Sequence, residues 1–307
     1  MNLKGFKVAI VGAGNVGAAA AFALMTGGVV SELVLFDNNE KRLKGLEHDL
    51  GHANASNFNF KFSVSTDLKV ITGADVVIFS AGSRVMLGQT RLDLAKSNLA
   101  LADELVPGIV KAAPNAVILV ISNPVDVITH RIASLAGLPE GQVFGSGTTL
   151  DTIRFRWSLA ETTGINPQSI HADLLGEHGD SSFPFLSGAM IGGVKLTEFE
   201  NLTSADIQKC YSAAKEGAGR IRETIGFTSY GIGMIINNLI GHIFYDSKVV
   251  MPLSVLVKDY YGVDGVTLSL PAILGRRGVE KSIKPVLDET EQSSLRKSAN
   301  ILKQYNL

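Results

Sequence analysis

The sequence predicts an α/β fold: the first half a parallel sheet covered by helices on both faces, the second half an α+β domain. Three features lead there. Over the first half, compact runs rich in Val and Ile alternate with stretches of helical periodicity. Those runs lack polar alternation, as strands buried on both faces do. Beyond about residue 147 the alternation stops, and helices mix with strands that come in runs. A chain of 307 residues also exceeds the usual single core, so two domains are expected, residues 1–147 and 148–307.

The elements follow in order. From Phe6 to Val30 Lys7 is the sole ionisable side chain, and the length approaches that of a membrane span. Gly12, Gly14 and Gly17 would break such a span near its first third, and no cleavage-site pattern follows. The segment therefore reads as a buried strand, Lys7–Val11, a tight turn and a buried helix, Asn15–Met25. Strand Glu32–Phe36, helix Glu40–His52, strand Ala74–Ser80, helix Arg91–Ala112, strand Ala116–Ile121 and helix Val125–Ala136 continue the pattern. Repeated strand–helix–strand units imply right-handed crossovers. In the second half, helices are expected over Leu150–Thr163, Ala205–Ile225 and Tyr230–Tyr245, and strands over Phe183–Ile191, Val249–Leu256 and Val266–Leu270. A polar helical tail, Asp288–Leu307, follows.

Composition excludes several classes of function. A net charge of −1, with no block of like charges, offers no electrostatic footprint for nucleic acid or an anionic membrane. Cys210, the single cysteine, cannot form an internal disulfide, and no Cys/His cluster has metal-ligand spacing. A reducing, cytoplasmic setting without a metal is the expectation.

Residues 12–17 read GAGNVG, between the strand VAIV and an alanine-rich helix. In that context Gly12 makes the tight turn, Gly14 lets backbone approach a pyrophosphate, and Gly17 lets helix and strand pack closely. The helix N-terminus adds unpaired N–H groups and a positive dipole end. Asp37 ends the next strand, twenty residues beyond Gly17. A carboxylate there accepts hydrogen bonds from ribose hydroxyls and repels a 2′-phosphate, which predicts NAD over NADP. The first domain is therefore read as a Rossmann-type NAD-binding domain.

Three further regions carry chemistry: GQTRLDL (88–94), ISNPVD (121–126), and LDTIRFR (150–156) followed by LLGEHGD (174–180). Singly, each has a plain explanation. His178 suits a turn, Asp151 and Arg154 suit an ordinary ion pair one helical turn apart, Arg91 suits a helix cap, and Asn123-Pro124 suits a turn. Together, in this order over nearly the whole chain, they resemble the L-lactate/malate dehydrogenase family. The motifs AGSR (81–84), SNPVD (122–126) and TSYGIG (228–233) add to the likeness.

That resemblance implies an NAD-dependent dehydrogenase acting on a small 2-oxo or 2-hydroxy carboxylic acid, with the second domain as the catalytic domain. His178 resembles the acid/base residue and Asp151 the carboxylate that orients it and stabilises its charged form. Arg154 resembles the substrate carboxylate clamp, and Arg91 the loop arginine that polarises the carbonyl. Asn123 resembles the residue bonding substrate oxygen near the nicotinamide, Arg84 a pyrophosphate contact, Ile232 the apolar residue behind the nicotinamide, and Thr228 a residue lining the substrate pocket.

Family specificity depends on the position six residues before the loop arginine, where lactate dehydrogenases usually carry Gln and malate dehydrogenases Arg; here it is Val85, followed by Met86 and Leu87. Valine cannot pair a second carboxylate, whose unpaired burial costs several kcal/mol, which disfavours malate. An apolar pocket gains about 0.8 kcal/mol per buried CH₂, so larger acids of the 2-oxoisocaproate type are expected, as in the L-2-hydroxyisocaproate dehydrogenases that this loop resembles. Phe227, beside Thr228, could enlarge or fill such a pocket. Pyruvate, hence L-lactate dehydrogenase, is the alternative; an NAD-binding sensor without catalysis is an alternative of another class. Arg156 and His171 fall where bacterial lactate dehydrogenases activated by fructose 1,6-bisphosphate carry their effector pair. The resemblance also implies a homo-oligomer, a dimer or homotetramer.

Overall fold

The computed structural model describes residues 5–55, 60–83 and 91–305, with residues 91 and 92 described by their backbone alone. In chain order it runs β1 (Lys7–Val11), α1 (Asn15–Thr26), β2 (Glu32–Phe36), α2 (Glu40–Asn54), β3 (Lys61–Ser65), β4 (Val76–Phe79), α3 (Arg91–Ala112), β5 (Val117–Val120), α4 (Val125–Ala136) and β6 (Val143–Gly145). Then come α5 (Thr149–Thr163), β7 (Ile170–His171), β8 (Leu174–Leu175), β9 (Phe183–Pro184), β10 (Met190–Ile191), β11 (Val194–Lys195) and α6 (Ser204–Ile225). The last elements are α7 (Tyr230–Tyr245), β12 (Val249–Val257), β13 (Val266–Gly275), β14 (Gly278–Ser282) and α8 (Glu289–Lys303).

The chain divides into two compact units, and not by a single cut. The first is Met1–Gly145 with Ser229–Val249 and Leu274–Lys281; the second is Ser146–Thr228 with Val250–Ile273 and Ser282–Leu307. In the first unit six strands lie in the order β3-β2-β1-β4-β5-β6, with the pairings from β3 through β6 all parallel. β1 runs between β2 and β4, with Val8 opposite both Leu33 and Val76. The chain thus leaves β1 toward one edge and returns to β4 on the other side, which makes the carboxyl ends of these strands a ligand-binding crevice. Val77, Phe79, Ile118 and Val120 are buried with Val106 and Ile109 of α3 and Ile128 and Ile132 of α4. Continuous apolar strands of this kind need a helix on each face.

α7 belongs to the same unit, because it packs on α1. Gly233 makes the approach possible: a Cβ there would lie 3.0 Å from the Ala19 carbonyl carbon and oxygen. In the second unit, β12 neighbours β13, and a core of Phe155, Leu159, Ile170, Leu174, Ile191, Ile207 and Cys210 joins α5 to α6 and the short strands.

Two differences from the sequence reading have physical causes. The expected strand Phe183–Ile191 is interrupted: β9 ends at Pro184, a 3₁₀ turn covers Leu186–Gly188, and β10 resumes at Met190. Pro184 has no N–H to give a ladder, and the Ser187 N–H is taken by Glu291 Oε1 at 2.9 Å. β3 is an added strand; at the sheet edge its residues stay exposed or half-buried, so KFSVS carries too little apolar signal to be read as a strand.

Gly233→Val should force α1 and α7 apart and cost about 1–3 kcal/mol of stability. Gly241, in the same helix, has nothing within 4 Å of an added Cβ, so Gly241→Ala should instead stabilise by about 0.5–1 kcal/mol. Urea midpoints of the two variants check this; equal shifts would refute the close-packing argument.

Candidate functional site

The glycine-rich turn is built by steric demand. Gly12 has φ +102°, and a Cβ there would collide with the Ala81 backbone nitrogen. A Cβ on Gly17 would strike the Gly12 carbonyl oxygen. Gly14 differs, since a Cβ there would meet nothing within 4 Å. Its side of the turn faces open space, where a pyrophosphate can approach the backbone. α1 starts at this point with no side-chain cap and no acidic residue in its first turn, which leaves its end suited to an anion.

Asp37 and Arg42 grip one peptide of that turn from opposite ends. Asp37 Oδ2 accepts the Ala13 N–H at 2.7 Å, and Oδ1 accepts the Asn39 N–H at 2.8 Å. Arg42 Nε donates to the Ala13 carbonyl, and its Nη2 donates to Asn15 Oδ1 at 3.1 Å. A carboxylate has about four acceptor sites, so Asp37 retains capacity for ribose hydroxyls while it holds the turn. The residues present therefore fit NAD. Arg42 was not legible as part of this site, because an arginine in the first turn of a polar helix reads as solvated surface.

The crevice wall is stapled by small polar groups. Ser80 Oγ donates to the Gly12 carbonyl at 2.8 Å, and Ser122 Oγ to the Ala81 carbonyl at 2.6 Å. Asn98, buried on α3, accepts the Ser83 N–H at 2.8 Å and donates to the Asn123 carbonyl at 2.7 Å. Asn98 also escaped the sequence reading, although its signal was present. It occupies the apolar stripe Ala95, Asn98, Ala102, Val106, Ile109, where a polar residue requires partners.

The second unit supplies acid/base groups. The start of α5 is fixed by hydroxyls: the Thr148 N–H donates to Ser269 Oγ at 3.0 Å, Thr149 Oγ1 to the Pro252 carbonyl at 3.0 Å, and the Leu174 N–H to Thr152 Oγ1 at 2.9 Å. Thr148 spends its own hydroxyl on the Leu174 carbonyl instead of capping the helix. The helical period then places Asp151 and Arg154 on one flank. Asp151 is buried, with Oδ2 2.6 Å from His178 Nδ1 and Oδ1 accepting from Arg154 Nη1 at 2.8 Å. Burial pushes the Asp151 carboxyl up, but the charges and hydrogen bonds of His178 and Arg154 outweigh it and hold the group below the ordinary aspartate range. Asp151 is thus ionised at neutral pH, and the ion pair and the histidine contact are both present. One carboxylate oxygen uses part of a five-donor guanidinium, so Arg154 keeps donors for a substrate anion. Gly217 of α6 lets Arg154 lie close, since a Cβ there would come 3.3 Å from Arg154 Cδ.

The other sequence-chosen residues fall as follows. Gly12, Gly14, Gly17, Asp37 and Asn123 gather at the carboxyl ends of the parallel strands, with Asn123 preceding a cis proline. Ile232 is buried on α7 in the same unit. Thr228 is half-buried in the connection between α6 and α7. Arg84 and Val85 lie outside the described residues, as does the Arg91 side chain. Arg156 is engaged by the Ala172 carbonyl at 3.2 Å and Asp173 Oδ1 at 2.6 Å, while His171 is exposed on β7 opposite Met190. Among the described residues no group of three or more His, Cys, Asp or Glu could hold a metal, and no helix is long and apolar enough to cross a membrane.

Known proteins resemble the chain over nearly its whole length. Residues 6–145 match the family model for the lactate/malate dehydrogenase NAD-binding domain, and residues 148–306 match that for the lactate/malate dehydrogenase alpha/beta C-terminal domain. An L-lactate dehydrogenase of Bifidobacterium animalis subsp. lactis is 36% identical, over 98% of this chain and 96% of the relative. The L-lactate dehydrogenase C chain of Mus musculus is 37% identical, over 96% of this chain and 91% of its own length. A crystal structure of a lactate dehydrogenase from a Medee basin deep-sea metagenome library superposes with a TM-score of 0.93 at 34% identity, covering 98% of both chains.

The double grip on Ala13 gives a testable consequence. Arg42→Met should loosen the turn and weaken NADH binding by about 1 kcal/mol, roughly a fivefold rise in Kd. Titration by nucleotide fluorescence reads this directly, and an unchanged Kd would show that the turn keeps its shape without the arginine.

Proposed function

The chain belongs to the lactate/malate dehydrogenase family of NAD-dependent oxidoreductases, and within it we propose that this enzyme interconverts pyruvate and L-lactate. The observation that carries the proposal is the Asp151–His178–Arg154 group, in which one buried carboxylate serves a proton-transfer residue and an arginine together. NADH supplies the hydride when bound. Asp151 fixes a proton on His178 Nδ1, so Nε2 is the position that exchanges a proton with the substrate oxygen. The charged imidazole formed on uptake of a proton is stabilised by the same carboxylate. Arg154 holds the substrate carboxylate, a planar task that lysine performs poorly. Arg91 polarises the carbonyl, and Asn123 hydrogen-bonds the substrate oxygen. Thr228 lines the pocket, Ile232 backs the nicotinamide, and Arg84 contacts the pyrophosphate. With all these groups retained, a sensor that has lost catalysis is the weaker reading. An NADH-fed reaction and a single buried thiol, Cys210, suit a reducing cytoplasm.

The relatives' names favour pyruvate. A second reading rests on Val85-Met86-Leu87, whose apolar side chains favour a longer 2-oxo acid such as 2-oxoisocaproate. Arg156 and His171 belong to this proposal as an effector pair; a bisphosphate there would have to displace Asp173 from Arg156. The expected result is a kcat/KM for pyruvate above those for 2-oxoisocaproate and oxaloacetate, each measured with NADH, with and without fructose 1,6-bisphosphate. A preference for the branched acid would transfer the assignment to the apolar loop. An absence of any bisphosphate response would remove the effector role.

The enzyme is also proposed to work as a homo-oligomer. Ile153 and Trp157 on α5, and Tyr230 and Met234 on α7, expose apolar side chains at i and i+4, with Trp157 61% and Tyr230 73% exposed. Apolar faces of this kind favour coverage by another copy. Sedimentation equilibrium should give a dimer or tetramer, and a monomer at assay concentration would contradict it.

A further inference from the structure

The loop that carries His178 joins β8 to β9 and spans only Gly176–Ser182, yet several elements of the second unit hold it. Gly176 exchanges both backbone hydrogen bonds with Ser269 of β13, at 3.0 and 2.9 Å. Ser298 of α8 donates its hydroxyl to the Ser181 carbonyl at 2.8 Å. These two holds are buried, as structural ties are. The hold from α6 is of another kind. Tyr211 donates its hydroxyl to the Ser182 carbonyl, and Lys215, one helical turn on, donates its ammonium to the Asp180 carbonyl at 2.6 Å. The Lys215 ammonium also lies 5.3 Å from the centre of the Tyr211 ring.

Tyr211 has a second contact that gives the pair its meaning. Its ring meets Phe155 edge-on, with centroids 6.5 Å apart. Phe155 is fully buried on α5, directly after Arg154 and one turn after Asp151. The Tyr211–Lys215 pair therefore holds the backbone of the loop that carries His178, and through Tyr211 it meets the helix that carries the carboxylate partner. Resting on the dehydrogenase reading above, we propose that Lys215 and Tyr211 are positioning residues that fix the His178 imidazole against Asp151. The physical reason is geometric: a proton donor works within a few tenths of an ångström of its optimum, and small misplacements far from the chemistry lower turnover steeply. A flexible lysine held in one rotamer on one carbonyl is a costly way to stabilise a surface. It is an effective way to set the height of a loop whose histidine lies two residues away.

The test uses Lys215→Met, Lys215→Arg and Tyr211→Phe in the full-length enzyme, assayed with NADH and the best 2-oxo acid. Lys215→Met and Tyr211→Phe should each lower kcat about tenfold, with the KM for the oxo acid and the Kd for NADH unchanged. The isotope effect with NADH deuterated at the transferred position should rise, because chemistry becomes slower than product release. Lys215→Arg should recover most of the loss. An unchanged kcat in Lys215→Met, or a loss that tracks thermal stability and is not rescued by arginine, would overturn the proposal. A wild-type enzyme that turns over no 2-oxo acid would instead overturn the dehydrogenase reading. The positioning claim then remains testable by NMR: the downfield His178 Nδ1 proton, identified by its absence in His178→Gln, should move in Lys215→Met and stay in Lys215→Arg. No movement refutes it.

Discussion

A buried carboxylate that must remain charged governs the second unit. Asp151 is removed from water, which by itself pushes its carboxyl toward protonation, and it stays ionised because His178 and Arg154 both face it. Neither partner would suffice for the chemistry by itself. In the proposed reaction the histidine would need a negative group to hold one tautomer, and the arginine would need to be steered so that its remaining donors face a substrate anion. The local architecture follows from this requirement. Threonine and serine hydroxyls fix the start of α5 to β8, β12 and β13, so the carboxylate has little freedom to turn away, and the loop with His178 is held by contacts from α6, α8 and β13. Breaking any one partner would leave a buried charge short of its compensation, which is the costly case.

The first unit solves a different problem with backbone instead of charge. A dinucleotide's pyrophosphate requires close approach of main chain, which only a turn free of Cβ atoms permits. Such a turn is intrinsically loose. Here the Ala13 peptide is clamped at its N–H by Asp37 and at its carbonyl by Arg42. Asp37 thus holds the turn and keeps acceptor capacity that a ribose could use. Ser80, Ser122 and Asn98 extend the same strategy along the strand ends, where each short polar side chain satisfies a carbonyl or amide that a parallel sheet leaves over.

Much of this was legible in the sequence for identifiable reasons. The central strands and the helices between them carry long apolar runs with clear periods, and their bounds fall within a few residues of expectation. The glycine positions follow from steric necessity, and the His178, Asp151 and Arg154 spacing is dense in chemistry. The misses share a cause as well. The 183–191 region has an apolar composition, but Pro184 and the Glu291 hydrogen bond to Ser187 break it into two strands and a turn. β3 is an edge strand with little to bury. Asn98, Arg42, Tyr211 and Lys215 act through hydrogen bonds to backbone atoms distant in sequence, and apart from the polar position of Asn98 in an apolar stripe such partners leave no local pattern.

The sequence by itself determined the fold class and the glycine-rich turn, and it singled out Asp151, Arg154 and His178, which the fold brings into contact, because each rests on short-range spacing or on residue types with few other uses. Only the tertiary structure decided which backbone groups those residues hold. It also assigned Ser229–Val249 to the cofactor-binding unit, a matter of helix α7 finding the small residues of α1. That outcome depends on surfaces more than two hundred residues apart along the chain, and complementarity at such separation is expressed in three dimensions, with no periodicity to announce it.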